Sequence, residues 1–390
     1  MRTIYLDYNA TTPLDPAVRE AMLPALEADW GNPSSVHHLG QRARALLDDA
    51  RDRVAATLKC KPSEIIFTSG GTESTNLAIL GMARSMAVQG RHIITSQVEH
   101  PAVLQPCEYL VNNEGFEVTF LPPDEFGFVS ADSVRDALRP DTILVSLMAA
   151  NNEVGTLQPV AEVGELCSEN GVLFHTDAVQ WFGKLPLSSI GDFNADLVSL
   201  CAHKFHGPKG AGLLFAKSPL LPHPIIHGGA HENERRSGTE NLPAILGLAE
   251  AVARFVRFPP FPENFILPLA EQLEASVNSI PGAQVVGPPS SSARLFNTVS
   301  FFVEGSDSIA LLSGLDLEGI CASSGSACAS GSVNPSHVLS AMGVSDSAAN
   351  ALVRLSLGRE TSAAEIFLVE EALPRVIERC RGPLRPVNNL

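Results

Sequence analysis

Short apolar runs alternate with amphipathic stretches from Asp15 to about Phe255, the pattern that α/β units make around a mostly parallel sheet. The runs predict strands at Glu64–Thr68, His92–Ser96, Glu117–Leu121, Thr142–Met148, Val172–Thr176, Leu197–Cys201 and Ala211–Phe215. Helical spacing is clear at Pro16–Leu26, Gln41–Leu58 and Leu77–Ala87, with Asp15 placed to cap the first. The stretch Arg257-Phe-Pro-Pro-Phe-Pro262 breaks the rhythm, because proline neither donates to a ladder nor continues a helix. Beyond it the pattern predicts a helix at Phe265–Ser279, strands near Thr298–Phe302 and Val353–Ser356, and a last helix at Ala363–Arg379. The expectation is an α/β protein. A large domain over residues 15–257 carries a mostly parallel, seven-stranded sheet flanked by helices, and residues 1–14 and 258–390 form a smaller α+β domain.

Composition narrows the class. With 390 residues, 45% hydrophobic and 18% charged, the chain can bury a large core. No apolar run is long enough to span a bilayer, and the start lacks the basic-then-apolar pattern of a secretory signal, so the cytosol is the expected compartment. A formal charge of −16 argues against a nucleic-acid surface, which needs clustered Lys and Arg. The seven cysteines are scattered without Cys-x-x-Cys spacing, so neither a disulfide framework nor a zinc site is expected. His223, His227 and His231 recur every four residues, but Pro224, Gly228 and Gly229 interrupt any helix that could align them, and no metal is predicted.

Six lysines leave each one's setting informative. Lys204 follows the run Asp196-Leu-Val-Ser-Leu-Cys-Ala202 at the expected C-terminal end of a strand, where open α/β sheets place ligands. A desolvated lysine there can form a Schiff base with an aldehyde cofactor; a solvated surface lysine is the alternative. Asp177 ends a second run, Val172-Leu-Phe-His-Thr-Asp177, and reaches the same sheet edge, either as a helix cap or as the carboxylate that keeps a pyridine nitrogen protonated. Thr68-Ser-Gly-Gly-Thr-Glu73 lies between a strand and a helix, where backbone amides and the Thr72 hydroxyl suit a phosphate, although the segment fits neither nucleotide-binding glycine fingerprint. His100 belongs to the same edge. Ser323-Ser-Gly-Ser-Ala-Cys-Ala-Ser-Gly-Ser332 surrounds Cys328 with small side chains, which favours an accessible thiol over a packed one.

Together these segments resemble the cysteine desulfurases, fold type I pyridoxal-phosphate enzymes of the class V aminotransferase branch. The resemblance spans nearly the whole chain. It adds Tyr5-Leu-Asp-Tyr-Asn-Ala-Thr-Thr-Pro13, Gly31-Asn-Pro-Ser-Ser35, Glu99-His100, Asn151-Asn-Glu-Val-Gly155, His175-Thr-Asp-Ala-Val-Gln180, His203-Lys204, Arg236-Ser-Gly-Thr239 and Arg354-Leu-Ser-Leu-Gly358. The Ser-Ser-Gly-Ser-Ala-Cys segment is similar to that of the group whose catalytic cysteine lies on a long mobile loop.

The resemblance implies that Lys204 bonds pyridoxal 5'-phosphate, Asp177 holds its ring nitrogen, Asn152 and Gln180 its ring hydroxyl, and His100 stacks on the ring and shuttles protons. Gly71, Thr72 and His203 would bind the phosphate, joined by Thr239 of the second subunit of a homodimer. Arg354 and Asn32 would hold the carboxylate of L-cysteine. Cys328 would take its sulfur as a persulfide, release L-alanine and pass the sulfur to an acceptor protein or iron-sulfur scaffold. Two departures stand out. Cys201 occupies a phosphate-binding position where the family usually has serine, and a thiol is the weaker donor. The chain ends at Leu390 without the longer tail that some relatives use to engage a scaffold. The competing readings are another pyridoxal-phosphate activity (aminotransferase, C–S lyase or selenocysteine lyase) and a non-catalytic sulfur carrier.

Overall fold

The computed structural model describes residues 3–289, 293–325 and 335–381. A short strand, β1 (Ile4–Tyr5), comes first, followed by β2 (Ile65–Thr68), β3 (His92–Ser96), β4 (Glu117–Leu121), β5 (Thr142–Ser146), β6 (Leu173–Asp177), β7 (Leu197–Cys201) and β8 (Gly212–Ala216). The last seven form one sheet in the order β2-β8-β7-β6-β5-β3-β4. Only β8 breaks the parallel arrangement: it runs against both β2 and β7, while every other neighbouring pair is parallel.

Both faces of this sheet are covered, which explains why its central strands are buried along their length and lack strict polar–apolar alternation. Alternation still decides which core each side chain enters. Ile65, Phe67, Ile94, Val145, Val198 and Leu213 pack into one cluster, and Ile66, Ile93, Leu144, Leu197 and Leu214 into the other. Helices Pro16–Glu27, His38–Leu58 and Leu242–Phe255 cover the first face. Asp15 caps the first of these by accepting from Ala17 N.

Helical structure begins at Gly71, six residues before the predicted Leu77, and runs to Met86 with a π-helical stretch at Leu77–Gly81. The glycine turn, expected as a loop, is itself the first helical turn. Strand ends also move by a residue or two: β5 stops at Ser146, not Met148, and β6 extends to Asp177.

A second core gathers Ile4, Leu6 and Tyr8 with residues from Phe261 onward. Its strands are β9 (Ala283–Val286), β10 (Thr298–Val303), β11 (Ile320–Cys321) and β12 (Leu352–Ser356). Helices Glu263–Asn278 and Ala363–Cys380 pack against a three-stranded sheet in which β10 lies between β9 and β12. The parallel pair of β1 with β11 ties the N-terminal segment into this unit. Among the described residues, no helix is long and apolar enough to cross a membrane.

Candidate active site

Strands β2, β3, β5, β6 and β7 point their C-terminal ends at one edge of the sheet, and the residues following those ends line a cavity of about 230 Å³. Gly71 and Thr72 come after β2, His100 after β3, Asn152 after β5, Asp177 and Gln180 from β6, and Cys201, His203 and Lys204 from β7. The second core contributes Asn9, Gly325 and Arg354. All of the expected cofactor-binding residues except Thr239 thus share one cavity wall with Arg354.

Lys204 is half-buried at the end of a 3₁₀ turn, Ala202–Lys204, and its Nζ donates to the carbonyls of Asn9 and Ala10, both at 2.8 Å. Asp177 is buried, with Oδ1 accepting from Val179 N at 3.0 Å. Burial pushes its carboxyl up to about 6, against the opposing effects of that hydrogen bond and the Lys204 charge. His175, two residues earlier, fixes the strand: its ring meets Ser146 Oγ at 2.8 Å on one side and Ser199 Oγ at 2.9 Å on the other. Full burial drives that imidazole down to about 3, so it is neutral and structural.

His100 caps helix Pro101–Glu114, its Nδ1 accepting from Ala102 N at 3.0 Å. Burial, followed by the Lys204 and His337 charges, lowers it to about 4. The neutral ring therefore carries its proton on Nε2. His203 is lowered to about 4 by burial and by Lys204 and Lys209, and its Nδ1 lies 3.2 Å from Thr11 Oγ1.

The glycine turn approaches β7 closely. A Cβ on Gly71 would stand 2.8 Å from Val179 Cγ2 and 3.8 Å from Cys201 Sγ, and one on Gly212 would meet the Gly70 backbone at 2.5 Å. Cys201 is buried, and burial raises its thiol to about 11, eased by the Lys204 charge and by a hydrogen bond with the Gly71 backbone. It is a neutral thiol beside backbone amides.

Arg354 is 1% exposed. Its Nη2 pairs with Asp7 Oδ1 at 2.9 Å, and its Nη1 donates to Asn152 O at 2.7 Å and Gly325 O at 3.0 Å. The buried Nε has no partner among the described residues.

Two expected residues do not reach the cavity of their own chain. Asn32 is exposed and turns its Oδ1 to Ser34 N at 2.8 Å; Thr239 is also exposed. Cys328 lies outside the described residues. Sequence reasoning gave no role to four groups. Asn9 supplies the carbonyl under Lys204, and Glu153 lines the cavity and accepts from Ser336 Oγ. Glu99, raised to about 8 by burial, accepts from Ser96 Oγ and Met148 N. Lys184 is buried beside Gln180. Asn9, Glu99 and Glu153 fall in or beside segments that carry the family resemblance, which marks them in the sequence without saying what they touch.

The class-V aminotransferase model matches residues 4–369. The chain belongs to this family. Within it, the chain is 44% identical to cysteine desulfurase IscS of Dictyoglomus turgidum, covering 97% of this chain and 96% of that one. It is also 44% identical to cysteine desulfurase IscS of Methanosarcina thermophila, over 99% and 95% of the two chains. Among solved structures, a NifS-like protein superposes with a TM-score of 0.89 at 36% identity, covering 97% of this chain and all of the other (100%). SspA in complex with cysteine superposes with a TM-score of 0.80 at 36% identity, over 92% and 100% of the chains. The cysteine desulfurase branch is therefore this chain's branch, and pyridoxal phosphate is the family's cofactor.

The donor set fits that cofactor. An amine stands on the cavity wall, a buried carboxyl that accepts from a backbone N–H suits a cationic ring nitrogen, and the glycine-cradled amides beside Thr72 suit a phosphate.

Proposed function

We infer that the protein is a pyridoxal-phosphate-dependent cysteine desulfurase that converts L-cysteine to L-alanine and leaves the sulfur as a persulfide on Cys328. One observation carries the reading beyond family membership. Gly325, three residues before Cys328 in the chain, lines the same cavity as Lys204 and Asp177, and its carbonyl accepts from Arg354.

Lys204 and Asp177 would hold the cofactor by its carbonyl carbon and ring nitrogen, with Gly71, Thr72, Cys201 and His203 at the phosphate and Asn152 and Gln180 at the ring hydroxyl. Bound there, it supplies an electron sink for the substrate's α-carbon. Lys204 Nζ, once released, is the amine that takes the α-proton, since the Asn9 and Ala10 carbonyls hold it at the wall. His100 offers a hydrogen bond from Nε2. Arg354 binds the substrate carboxylate, with its buried Nε as the donor not yet engaged and Asp7 keeping the guanidinium in place.

In the sulfur transfer, the Cys328 thiolate attacks the substrate sulfur. An S–S bond forms, the substrate C–S bond breaks, and the bonding pair stays with carbon, which takes up a proton and leaves as L-alanine. The substrate carbon is reduced and the two sulfurs are oxidised, so no outside oxidant is needed. Thr239 and Asn32, exposed in the single chain, are read as contributions to the partner subunit's site in a homodimer. The persulfide then passes to an acceptor protein or iron-sulfur scaffold, and the cytosol is the proposed compartment.

The test is incubation of the purified protein with L-cysteine, measuring alanine, sulfide and protein-bound persulfide, alongside Cys328→Ser. The variant is expected to keep the cofactor absorption but to accumulate no persulfide and release no alanine catalytically. Alanine production by Cys328→Ser at the wild-type rate would replace this reading with that of a lyase releasing free sulfide.

A further inference from the structure

Lys184 has no part in the chemistry above, yet it is 1% exposed and sits directly behind the cavity wall. A lysine is among the residues least often buried without a partner. Here the partners of its amine are side-chain amides: Nζ donates to Asn9 Oδ1 at 2.8 Å and to Gln180 Oε1. The amide nitrogens are turned elsewhere, Gln180 Nε2 to Asn9 O and Asn9 Nδ2 to Thr298 Oγ1, so the amide atom facing the amine is oxygen in each case. That settles an orientation which side-chain amides leave open on their own.

The consequence for Gln180 is directional. With Oε1 committed to Lys184, its nitrogen faces the other way, and one N–H goes to Asn9 O at 3.0 Å. The remaining N–H is the polar group that Gln180 can offer to the cavity it lines. Asn9 is fixed by the same contact. Its Oδ1 also accepts from Asn297 Nδ2 at 3.1 Å, its Nδ2 donates to Thr298 Oγ1 at 2.9 Å, and its carbonyl accepts from Lys204 Nζ at 2.8 Å. Lys184 thus sets two amides that meet at the carbonyl under Lys204.

Its electrostatic setting points the same way. Burial, followed by the Lys204 and Arg354 charges, pushes the Lys184 amine well below its ordinary value, with the Cys201 thiol acting in the opposite sense. The strongest charges acting on it are cations, so an anion in the cavity would favour the ammonium form.

We propose that Lys184 is a positioning residue for the cofactor: held on Asn9 and Gln180, it turns the Gln180 N–H toward the ring oxygen of pyridoxal phosphate and favours that oxygen as an anion. The proposal rests on Gln180 being the partner of the ring hydroxyl.

The test uses the full-length protein, stripped of cofactor and reloaded with pyridoxal phosphate. Lys184→Met keeps the chain length and removes both the charge and the donors. It should weaken cofactor affinity on the order of tenfold, because a hydrogen bond to a charged group is lost. The pH titration of the bound cofactor's visible absorption should move upward, since a nearby cation no longer favours loss of the proton. Gln180→Ala should then weaken binding less in Lys184→Met than in the wild type, because the two act through one contact.

Lys184→Gln, which restores donors without charge, should recover part of the affinity and none of the titration shift, and it serves if the methionine variant does not fold. A purely structural lysine predicts a different result: replacing a buried charge by an apolar group of similar size is often neutral or stabilising and leaves the spectrum alone. Unchanged affinity and titration in both variants, or fully additive effects with Gln180→Ala, would overturn the proposal. If Lys204→Ala also retained the cofactor spectrum, the site assignment itself would fail; loss of the spectrum there with no effect of Lys184→Met would sink only this inference.

Discussion

Asp177→Asn should make the empty protein more stable and the loaded enzyme much slower. The carboxyl is buried at the end of β6, and burial raises it from 3.8 to about 6. That gap corresponds to about 3 kcal/mol of differential interaction between the two protonation states. Because the folded value lies above the ordinary one, the associated stabilisation is fully present below about 3.8 and lost as pH rises through about 6. Asparagine escapes that loss and can still accept from Val179 N. Cofactor-free Asp177→Asn is therefore expected to exceed the wild type by up to about 3 kcal/mol at about pH 8, with the gap narrowing to roughly half by about pH 5. Urea denaturation of both apoproteins at the two pH values measures it. In the holoenzyme the neutral amide no longer favours a protonated ring nitrogen. Loss of a hydrogen bond to a charged group, about 1.5–3 kcal/mol, predicts a fall in alanine formation of roughly 10- to 150-fold. An Asp177→Asn apoprotein no more stable than the wild type at the higher pH, or wild-type turnover in the loaded variant, would refute the argument that this carboxyl is kept at an energetic loss for its charge.

Lys204→Ala should lose the visible absorption of bound cofactor together with all turnover, as a spectrum and an alanine assay would show. Gly71→Ala should weaken cofactor affinity, because its Cβ would press on Val179 Cγ2 at 2.8 Å and lift the turn from β7; equilibrium titration with pyridoxal phosphate measures this. Cys201→Ser should bind the cofactor as tightly as the wild type or more tightly, since a hydroxyl is the better donor beside the Gly71 amide. Markedly weaker binding would mean that Cys201 serves as apolar packing.

The strands were legible because both faces of the sheet are covered, so Ile65 to Phe67 and Leu197 to Cys201 read as largely apolar runs. The C-terminal ends of two such strands mark Asp177 and Lys204 at one edge of the sheet. Direction was not legible. Nothing within Gly212–Ala216 says that β8 runs against its neighbours, because chain direction is a tertiary property. Gly71 reads as a turn ahead of a helix at Leu77, whereas the helix starts at Gly71 itself, where close packing on Val179 leaves room only for glycine. The Lys184, Gln180 and Asn9 network was not legible for a related reason: Lys184 and Gln180 are close in sequence, but Asn9, which joins them, comes from the far N-terminal segment, and polar spacing carries no trace of that meeting.

The position of Asn9 has a consequence for how the protein is made. Its backbone N–H donates to Ser356 Oγ at 2.9 Å, 347 positions further along the chain, and β1 takes its partner from Ile320–Cys321. Contacts of such long sequence separation form late, after the large loop between them has been closed. The carbonyl that steadies Lys204 is therefore held from both sides only once the segment up to Ser356 has joined the fold. A growing chain that contains the finished seven-stranded sheet but not β12 lacks that second support, so chains interrupted before Ser356 should hold the cofactor less firmly than the full chain.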